Sequence, residues 1–232
     1  MRSIYALYNL ILIILLIVIA TPSACQESAE VWLEKGNVLF GQGENEKAIE
    51  AYDEAIRLDP ENLVAWVNKG AVLINLKKFD DAVLAFDEVI RIDPELAVAW
   101  SYKGGALYWL GEYDEAIVAL DRAIELEPDN AIAWSIKGDV HYNRGEYKEA
   151  MAAVDEVIRL VPDYAPAWSN RGELLWRQGR YNESLESLDR AIQLDPDLAD
   201  AWHNRGEALK AQGLMKEADE AFARARELEH SG

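Results

Sequence analysis

A strict period of 34 residues constrains this chain more than any other feature of its sequence. Six tryptophans follow this period, and a glycine stands four residues after each of them. They are Trp32, Trp66, Trp100, Trp134, Trp168 and Trp202, followed by Gly36, Gly70, Gly104, Gly138, Gly172 and Gly206. A fixed period in this range is typical of a stacked array of similar units. With each of these tryptophans at position four, the six repeats are 29–62, 63–96, 97–130, 131–164, 165–198 and 199–232.

Each repeat carries the pattern of two helices joined by a tight turn. Positions 4, 8 and 11 are mostly apolar or small, as are positions 20, 24 and 27, and these spacings place each set on one helix face. Position 15 is glycine in five repeats and Lys77 in the second, which predicts a left-handed residue at the end of the first helix. Proline at position 32 ends the second helix in five repeats. The small residues at positions 8 and 20 predict that the two helices approach closely.

This pattern resembles the tetratricopeptide repeat over the whole of 29–232. The third repeat shows the complete motif, in Trp100, Gly104, Leu107, Tyr113, Ala116, Ala123 and Pro128. The fourth departs from it at His141, which we interpret as a satisfied core histidine because it lacks partners for chemistry. The resemblance implies an all-α solenoid, a right-handed superhelix of antiparallel helix pairs whose first helices line a concave groove. It also implies binding of peptides or protein segments without catalysis.

Composition and motifs narrow the function further. The net charge of −19 disfavours nucleic acid and anionic lipid surfaces as partners. The sequence contains no nucleophile with a matching base, no histidine pair at ligand spacing and no phosphate-binding glycine loop. We therefore expect a scaffold for protein interactions with no enzyme activity, metal or cofactor. The alternative is an accessory subunit of an extracytoplasmic enzyme or assembly complex. One sequon leaves glycosylation of Asn182 open, because Ser184 occupies the small, buried position 20.

The segment before the repeats has a different character. Arg2 precedes an unbroken apolar run at 10–20, and small residues follow at 21–25. This order predicts that 1–24 is a signal peptide or a signal anchor, with 25–28 as a short linker. Residues 23–25 also resemble the bacterial lipobox, which would make Cys25 a lipidated residue. The repeats are expected outside the cytoplasm, either secreted or anchored in the membrane through this segment alone.

Charged residues recur in register along the array. Position 25 is aspartate in the first five repeats, and position 7 is basic in all six. We expect each aspartate to meet the basic residue of the next repeat, in the pairs Asp53–Lys69, Asp87–Lys103, Asp121–Lys137, Asp155–Arg171 and Asp189–Arg205. In the last repeat Asp219 and Arg226 replace an apolar stripe, which predicts an exposed polar cap and a monomer, with Leu185 and Ile192 buried behind it.

The resemblance assigns the groove to positions 2, 5, 6, 9, 12 and 13 of the first helices. The predicted ligand-binding residues are Tyr102, Tyr108, Trp109, Asp139, Tyr142, Asn143, Asn170, Glu173, Trp176 and Arg177. Trp109 and Trp176 lie outside the 34-residue series. They are interpreted either as stacking platforms for a ligand or as rings partly buried against a neighbouring helix. Because the groove also carries acids, the expected partner is a neutral or basic segment.

Overall fold

The computed structural model describes residues 28–231, which form twelve helices and no strand. The helices are α1 (Ala29–Gly41), α2 (Asn45–Leu58), α3 (Leu63–Asn75), α4 (Phe79–Ile92), α5 (Ala97–Leu110), α6 (Tyr113–Leu126), α7 (Ala131–Asn143), α8 (Tyr147–Leu160), α9 (Ala165–Arg177), α10 (Tyr181–Leu194), α11 (Ala199–Ala211) and α12 (Met215–Ser231). Each repeat supplies two consecutive helices, so the prediction of an all-α array of helix pairs is confirmed.

The expected signal segment and Cys25 lie outside the described residues. Within 28–231, every helix is too short or too polar to cross a lipid bilayer.

The chain divides into two compact units, and the boundary lies within α7. The first unit ends at Ile136 and the second begins at Lys137. In the first unit α1 contacts α2, α3 contacts α4 and α5 contacts α6, while the first helices also meet each other, α1 with α3 and α3 with α5. In the second unit α9 contacts α8 and α10, and α11 contacts α10 and α12. Each unit therefore builds its core from contacts between neighbours along the chain, as repeat arrays do.

The turn inside each repeat depends on one left-handed residue. Five glycines at position 15 have φ between 74° and 82°, and Lys77 takes the same conformation with φ of 59°. A side chain in this conformation costs about 1 kcal/mol because its Cβ crowds the backbone. The predicted turn is confirmed, including its use of Lys77.

The glycine at position 8 makes room for the large side chain at position 24 of the same repeat. A Cβ added at Gly172 would lie 2.5 Å from Cγ of Leu188. At Gly138 the nearest atom, Cβ of Ala153, would be 3.5 Å away, because repeat four has the smaller Val154 at position 24. The predicted close approach is therefore tight in repeat five and relaxed in repeat four.

Tryptophan at position 4 and proline at position 32 are linked by a hydrogen bond. The indole nitrogen of Trp66 donates to the carbonyl oxygen of Pro60 at 3.0 Å. The same bond joins Trp100 to Pro94, Trp134 to Pro128, Trp168 to Pro162 and Trp202 to Pro196. The bond ties the start of each of these repeats to the end of the one before it, which explains why both residues recur.

Ion pairs between successive repeats follow the predicted ladder. The nitrogen–oxygen distances are 2.6 Å for Lys69–Asp53 and Lys103–Asp87, 3.0 Å for Arg171–Asp155 and 2.8 Å for Arg205–Asp189. These four pairs are confirmed. The fifth, Asp121 with Lys137, joins residues of different units and stays a prediction.

The last repeat ends in a polar surface, as expected. Asp219 and Arg226 on α12 are exposed. Leu185 and Ile192 are only half-buried, so the prediction of their burial was too strong. Leu185 packs at the edge of a cluster formed by Leu209, Ala218 and Ala221, which covers one side of it.

Two polar residues singled out in the sequence are satisfied within the fold. His141 is 12% exposed, and its Nδ1 lies 2.6 Å from the Glu146 carboxylate, which confirms a paired core histidine. Ser184 is buried, and its hydroxyl donates to the carbonyl oxygen of Gly172 at 2.7 Å. The serine of the sequon is therefore engaged in helix packing, while Asn182 itself is exposed and accepts a hydrogen bond from Gln212 at 2.7 Å.

Candidate functional site

In the first unit, aromatic side chains gather where the first helix of the third repeat ends. Tyr108 and Trp109 lie in the last turn of α5, while Phe79 begins α4 and Tyr113 begins α6. The Trp109 ring stacks on Phe79 with centroids 5.8 Å apart and an interplanar angle of 10°. The Tyr108 ring meets Trp109 edge-on at 5.2 Å and Tyr113 at a tilt of 35°, with centroids 6.2 Å apart. We call these four residues the aromatic platform.

The platform holds its rings in fixed positions and leaves part of them accessible. Tyr108 and Trp109 are both half-buried. Trp109 rests on Phe79 of the preceding repeat, which confirms that this ring is partly buried against a neighbouring helix, while its role as a stacking platform for a ligand stays a prediction. Rings held by offset or edge contacts lose little conformational freedom when a ligand packs on them.

In the second unit a cluster with mixed chemistry occupies the end of the first helix of the fifth repeat. The Arg177 guanidinium lies 5.1 Å from the ring centre of Tyr142, 5.8 Å from Tyr147 and 5.3 Å from Trp176. Its Nε and Nη2 donate to the same oxygen of Glu173, at 3.1 and 2.9 Å. The Tyr142 hydroxyl also donates to that oxygen. We call these five residues the arginine cage.

The charges in the arginine cage stabilise one protonation pattern. Burial raises the pKa of Tyr142, and its hydrogen bond to Glu173 raises it further. Burial lowers the pKa of Arg177, but Glu173 and Tyr142 more than offset this, so the net shift is upward. Tyr142 is therefore held as a neutral donor and Arg177 as a cation.

The tyrosines of the cage are anchored in the core of the second unit. Tyr142 and Tyr147 pack against the buried cluster of Ala150, Val154 and Leu174. Their rings also contact each other edge-on at 5.8 Å. The aromatic walls are therefore fixed by apolar packing, independently of the charged residues.

The other predicted site residues have different surroundings. Tyr102 is 4% exposed and stacks on Phe86 at 5.3 Å, so it belongs to the core of the first unit and not to an accessible surface. Asn143 is exposed and donates from Nδ2 to the carbonyl oxygen of Asp139 at 2.8 Å. Asn170 is exposed on α9.

Asp139, close to Glu173 of the cage, has a strongly altered affinity for protons. Burial raises its pKa to about 7, and the neighbouring Glu173 carboxylate acts in the same direction. Because burial disfavours the charged carboxylate, with a smaller contribution from Glu173, Asp139 is only partly ionised at neutral pH. The negative charge next to the cage therefore varies with pH in the neutral range.

Sequence reasoning missed the residues that support both sites. Phe79, Tyr113 and Tyr147 all stand at position 17, the first residue of the second helix. Their recurrence at 34-residue spacing was visible in the sequence. Only the structure shows that position 13 of one repeat lies over position 17 of the repeat before it, as Trp109 does on Phe79 and Arg177 on Tyr147.

In the part of the chain that the structure describes, there is no group of three His, Cys, Asp or Glu residues arranged to hold a metal.

Comparison with sequence families gives matches along most of the array. Profiles described as tetratricopeptide repeat match residues 33–97, 103–165 and 199–229, and one described as TPR repeat matches 177–213. No curated protein has a sequence that matches this chain.

Several solved structures are similar to this chain. MamA is 26% identical, with a TM-score of 0.62 over 70% of this chain and 95% of MamA. YrrB, described as a TPR protein with an unusual peptide-binding site, is 22% identical over 78% of this chain and 93% of its own, with a TM-score of 0.62. PilW, described as a widely conserved type IV pilus biogenesis factor, is 20% identical over 86% of this chain and 93% of its own, with a TM-score of 0.77. At these identities, the likeness to YrrB and PilW concerns the fold.

Proposed function

The chain belongs to the tetratricopeptide repeat family, and from this premise we propose that it is a non-catalytic scaffold that binds a peptide or protein segment through the first helices of its repeats. The observation that carries the proposal is the stacking of Trp109 on Phe79, which presents a half-buried tryptophan on a rigid support. Tryptophan and tyrosine are favoured anchors at protein interfaces because they bury a large area at a small entropic cost. The peptide-binding site in the name of YrrB supports the same class of partner.

The chemistry of the two sites indicates a neutral or basic partner with aromatic or apolar side chains. The aromatic platform offers stacking surfaces, while in the second unit Glu173 accepts a hydrogen bond from Tyr142 and lies close enough to Asp139 to interact with it electrostatically. A chain with a net charge of −19 also attracts basic segments over a longer range and speeds their association.

The test begins with a peptide selected from a random display library against the full chain. Trp109→Ala and Trp176→Ala should each weaken its binding by about tenfold or more, which corresponds to about 1.4 kcal/mol. The matched control is Leu84→Ala, which removes a side chain that is 64% exposed on α4 and belongs to neither site. Circular dichroism melting curves should stay in place for all three. Unaltered affinity in both tryptophan variants would contradict the proposal.

The second part of the proposal concerns location: the repeats lie outside the cytoplasm and are attached to the membrane through the N-terminal segment. The order of charge, apolar run and small residues in 1–25 supports it, as does the fold shared with PilW, a pilus biogenesis factor. A fused reporter that is active only outside the cytoplasm should be active, and a silent reporter on an intact fusion would refute export. Release of a Cys25→Ser variant into the medium would identify a lipid anchor, whereas continued retention would identify an uncleaved helix.

A second candidate is an accessory subunit of an extracytoplasmic enzyme or assembly complex. The fold shared with PilW favours it, because that protein is described as a biogenesis factor. Size-exclusion chromatography of solubilised membranes separates the two proposals. A stable complex of fixed stoichiometry supports the subunit, and a monomer that binds selected peptides supports the scaffold.

A further inference from the structure

The arginine cage has the composition of a binding site for a cation, and its occupant is a side chain of the protein itself. Three aromatic rings lie within 6 Å of the Arg177 guanidinium, and a carboxylate accepts two of its N–H groups. Ring faces attract cations through their quadrupole at these distances. A planar guanidinium can contact the aromatic rings and the carboxylate of the cage at once, because it stacks on rings through its faces and donates hydrogen bonds in its plane.

The occupant is less firmly held than the walls. Tyr142 and Tyr147 pack on the core of the second unit, whereas the Arg177 side chain is 35% exposed. Arg177 is also the last residue of α9, where rotation of its side chain toward solvent disturbs no following helical turn. The Arg177–Glu173 ion pair is partly exposed, and such pairs add little net stability, so this contact alone does not lock Arg177 in place.

We infer that the arginine cage is a recognition site for an arginine side chain of the partner segment, and that Arg177 occupies it until that side chain displaces it. The inference rests on the proposed function, since it names the chemistry of the partner that the scaffold binds. Exchange is favourable in principle because a partner arginine reproduces every contact of Arg177 and adds those of the segment that carries it.

The third repeat offers a contrast within the same chain. Gly105 and Trp109 stand at the positions that Glu173 and Arg177 occupy in the fifth repeat. The aromatic platform therefore has neither the carboxylate nor the internal cation at these two positions.

The test uses the full chain and N-acetylarginine amide as the probe, in a ligand-detected NMR titration. Arg177→Ala empties the cage and should bind this probe at least about tenfold more tightly than the unchanged protein. The neutral isostere N-acetylcitrulline amide should show no gain. Arg177→Ala combined with Glu173→Gln should lose the gain, and Leu84→Ala, at an exposed residue that belongs to neither site, should leave the affinity at its original value. Arg177→Gln, which shortens the side chain and removes its charge but keeps its aliphatic stem, serves if the alanine variant does not fold by circular dichroism.

Two results would overturn the inference. One is an unchanged affinity for the arginine probe in a folded Arg177→Ala or Arg177→Gln variant. The other is an equal gain for the citrulline probe, which would mean that an emptied cavity and not a cation site had been created. Either result leaves the proposed function standing if a selected peptide still depends on Trp109. Loss of that dependence while the cage binds arginine would count against the proposed function alone.

Discussion

Alanine substitutions at two equivalent glycines should change stability in opposite directions. Gly138 and Gly172 both stand at position 8, in α7 and α9. A Cβ at Gly138 would meet Ala153 and Val154 at 3.5 and 3.6 Å, which is ordinary van der Waals contact. Since alanine is favoured over glycine inside a helix by about 0.5–1 kcal/mol, Gly138→Ala should stabilise the chain by about that amount.

At Gly172 the same methyl group has no room. It would lie 2.5, 2.8 and 3.2 Å from Cγ, Cδ2 and Cδ1 of Leu188, a side chain that is fully buried. Overpacking of this kind costs about 1–3 kcal/mol, which exceeds the gain in helix propensity. Gly172→Ala should therefore destabilise the chain by about 1–2 kcal/mol net.

Urea denaturation followed by circular dichroism measures both changes. The matched rescue is Gly172→Ala combined with Leu188→Val, which gives repeat five the smaller residue that repeat four has at Val154. The two substitutions should show a favourable coupling energy of about 1 kcal/mol or more in a double-mutant cycle. The smaller valine relieves the crowding of the added methyl group, and that methyl group fills part of the space that Leu188→Val leaves. Equal losses for Gly138→Ala and Gly172→Ala, or a rescue with no coupling, would refute the packing argument.

Three further predictions concern charge. A double-mutant cycle of Asp189→Asn and Arg205→Gln should give a coupling energy of about 0–1 kcal/mol that shrinks in high salt. The reason is that the pair joins successive repeats at 2.8 Å but is partly exposed. A larger coupling energy that salt does not alter would contradict this. Replacing both Asp219 and Arg226 with isoleucine should cause the protein to associate, which light scattering would detect. The reason is that an apolar stripe would then stand on the exposed face of α12. A double variant that stays monomeric would argue against the polar cap. Asp139→Asn should raise stability at pH 8 by about 1 kcal/mol and much less at pH 5. The sign follows because the pKa of Asp139 in the folded state is raised to about 7, above its ordinary value. The contribution of Asp139 to folding stability is therefore fully present below pH 4 and is lost as the pH rises through 7. Equal effects of the substitution at both pH values would contradict this.

The helix pairs, turns and ion pairs of the fold were predictable from the sequence, because the residues that form them have the same structural role every 34 residues. Position 15 needs a left-handed backbone, and even Lys77 shows it, with φ of 59°. Four predicted ion pairs, such as Arg205–Asp189, form because their spacing is fixed by the same period. The burial of Leu185 was overestimated since it depends on how far the last helix covers the face before it, and α12 covers only part of it.

The candidate sites were predictable only in part, because their contacts cross from one repeat to the next. Tyr102 and Tyr108 were both assigned to the groove from their positions, yet Tyr102 is buried on Phe86 while Tyr108 stays half-exposed. The stacking partner of Tyr102, Phe86, belongs to the preceding repeat, so the position of Tyr102 within its own repeat does not reveal this contact. The same limit hid Tyr147, whose contact with Arg177 joins the fourth repeat to the fifth.

The contacts between positions 13 and 17 show how an array of fixed geometry can vary its binding chemistry. In the third repeat a tryptophan lies on a phenylalanine, Trp109 on Phe79, and in the fifth an arginine lies on a tyrosine, Arg177 on Tyr147. The residues that hold the helices together stand at other positions, and those at position 13 are at most half-buried in these two repeats. A substitution there alters the surface offered to a partner while the glycine, proline and ion-pair framework remains. Under the proposed function, substitutions at these positions would therefore change which partner binds.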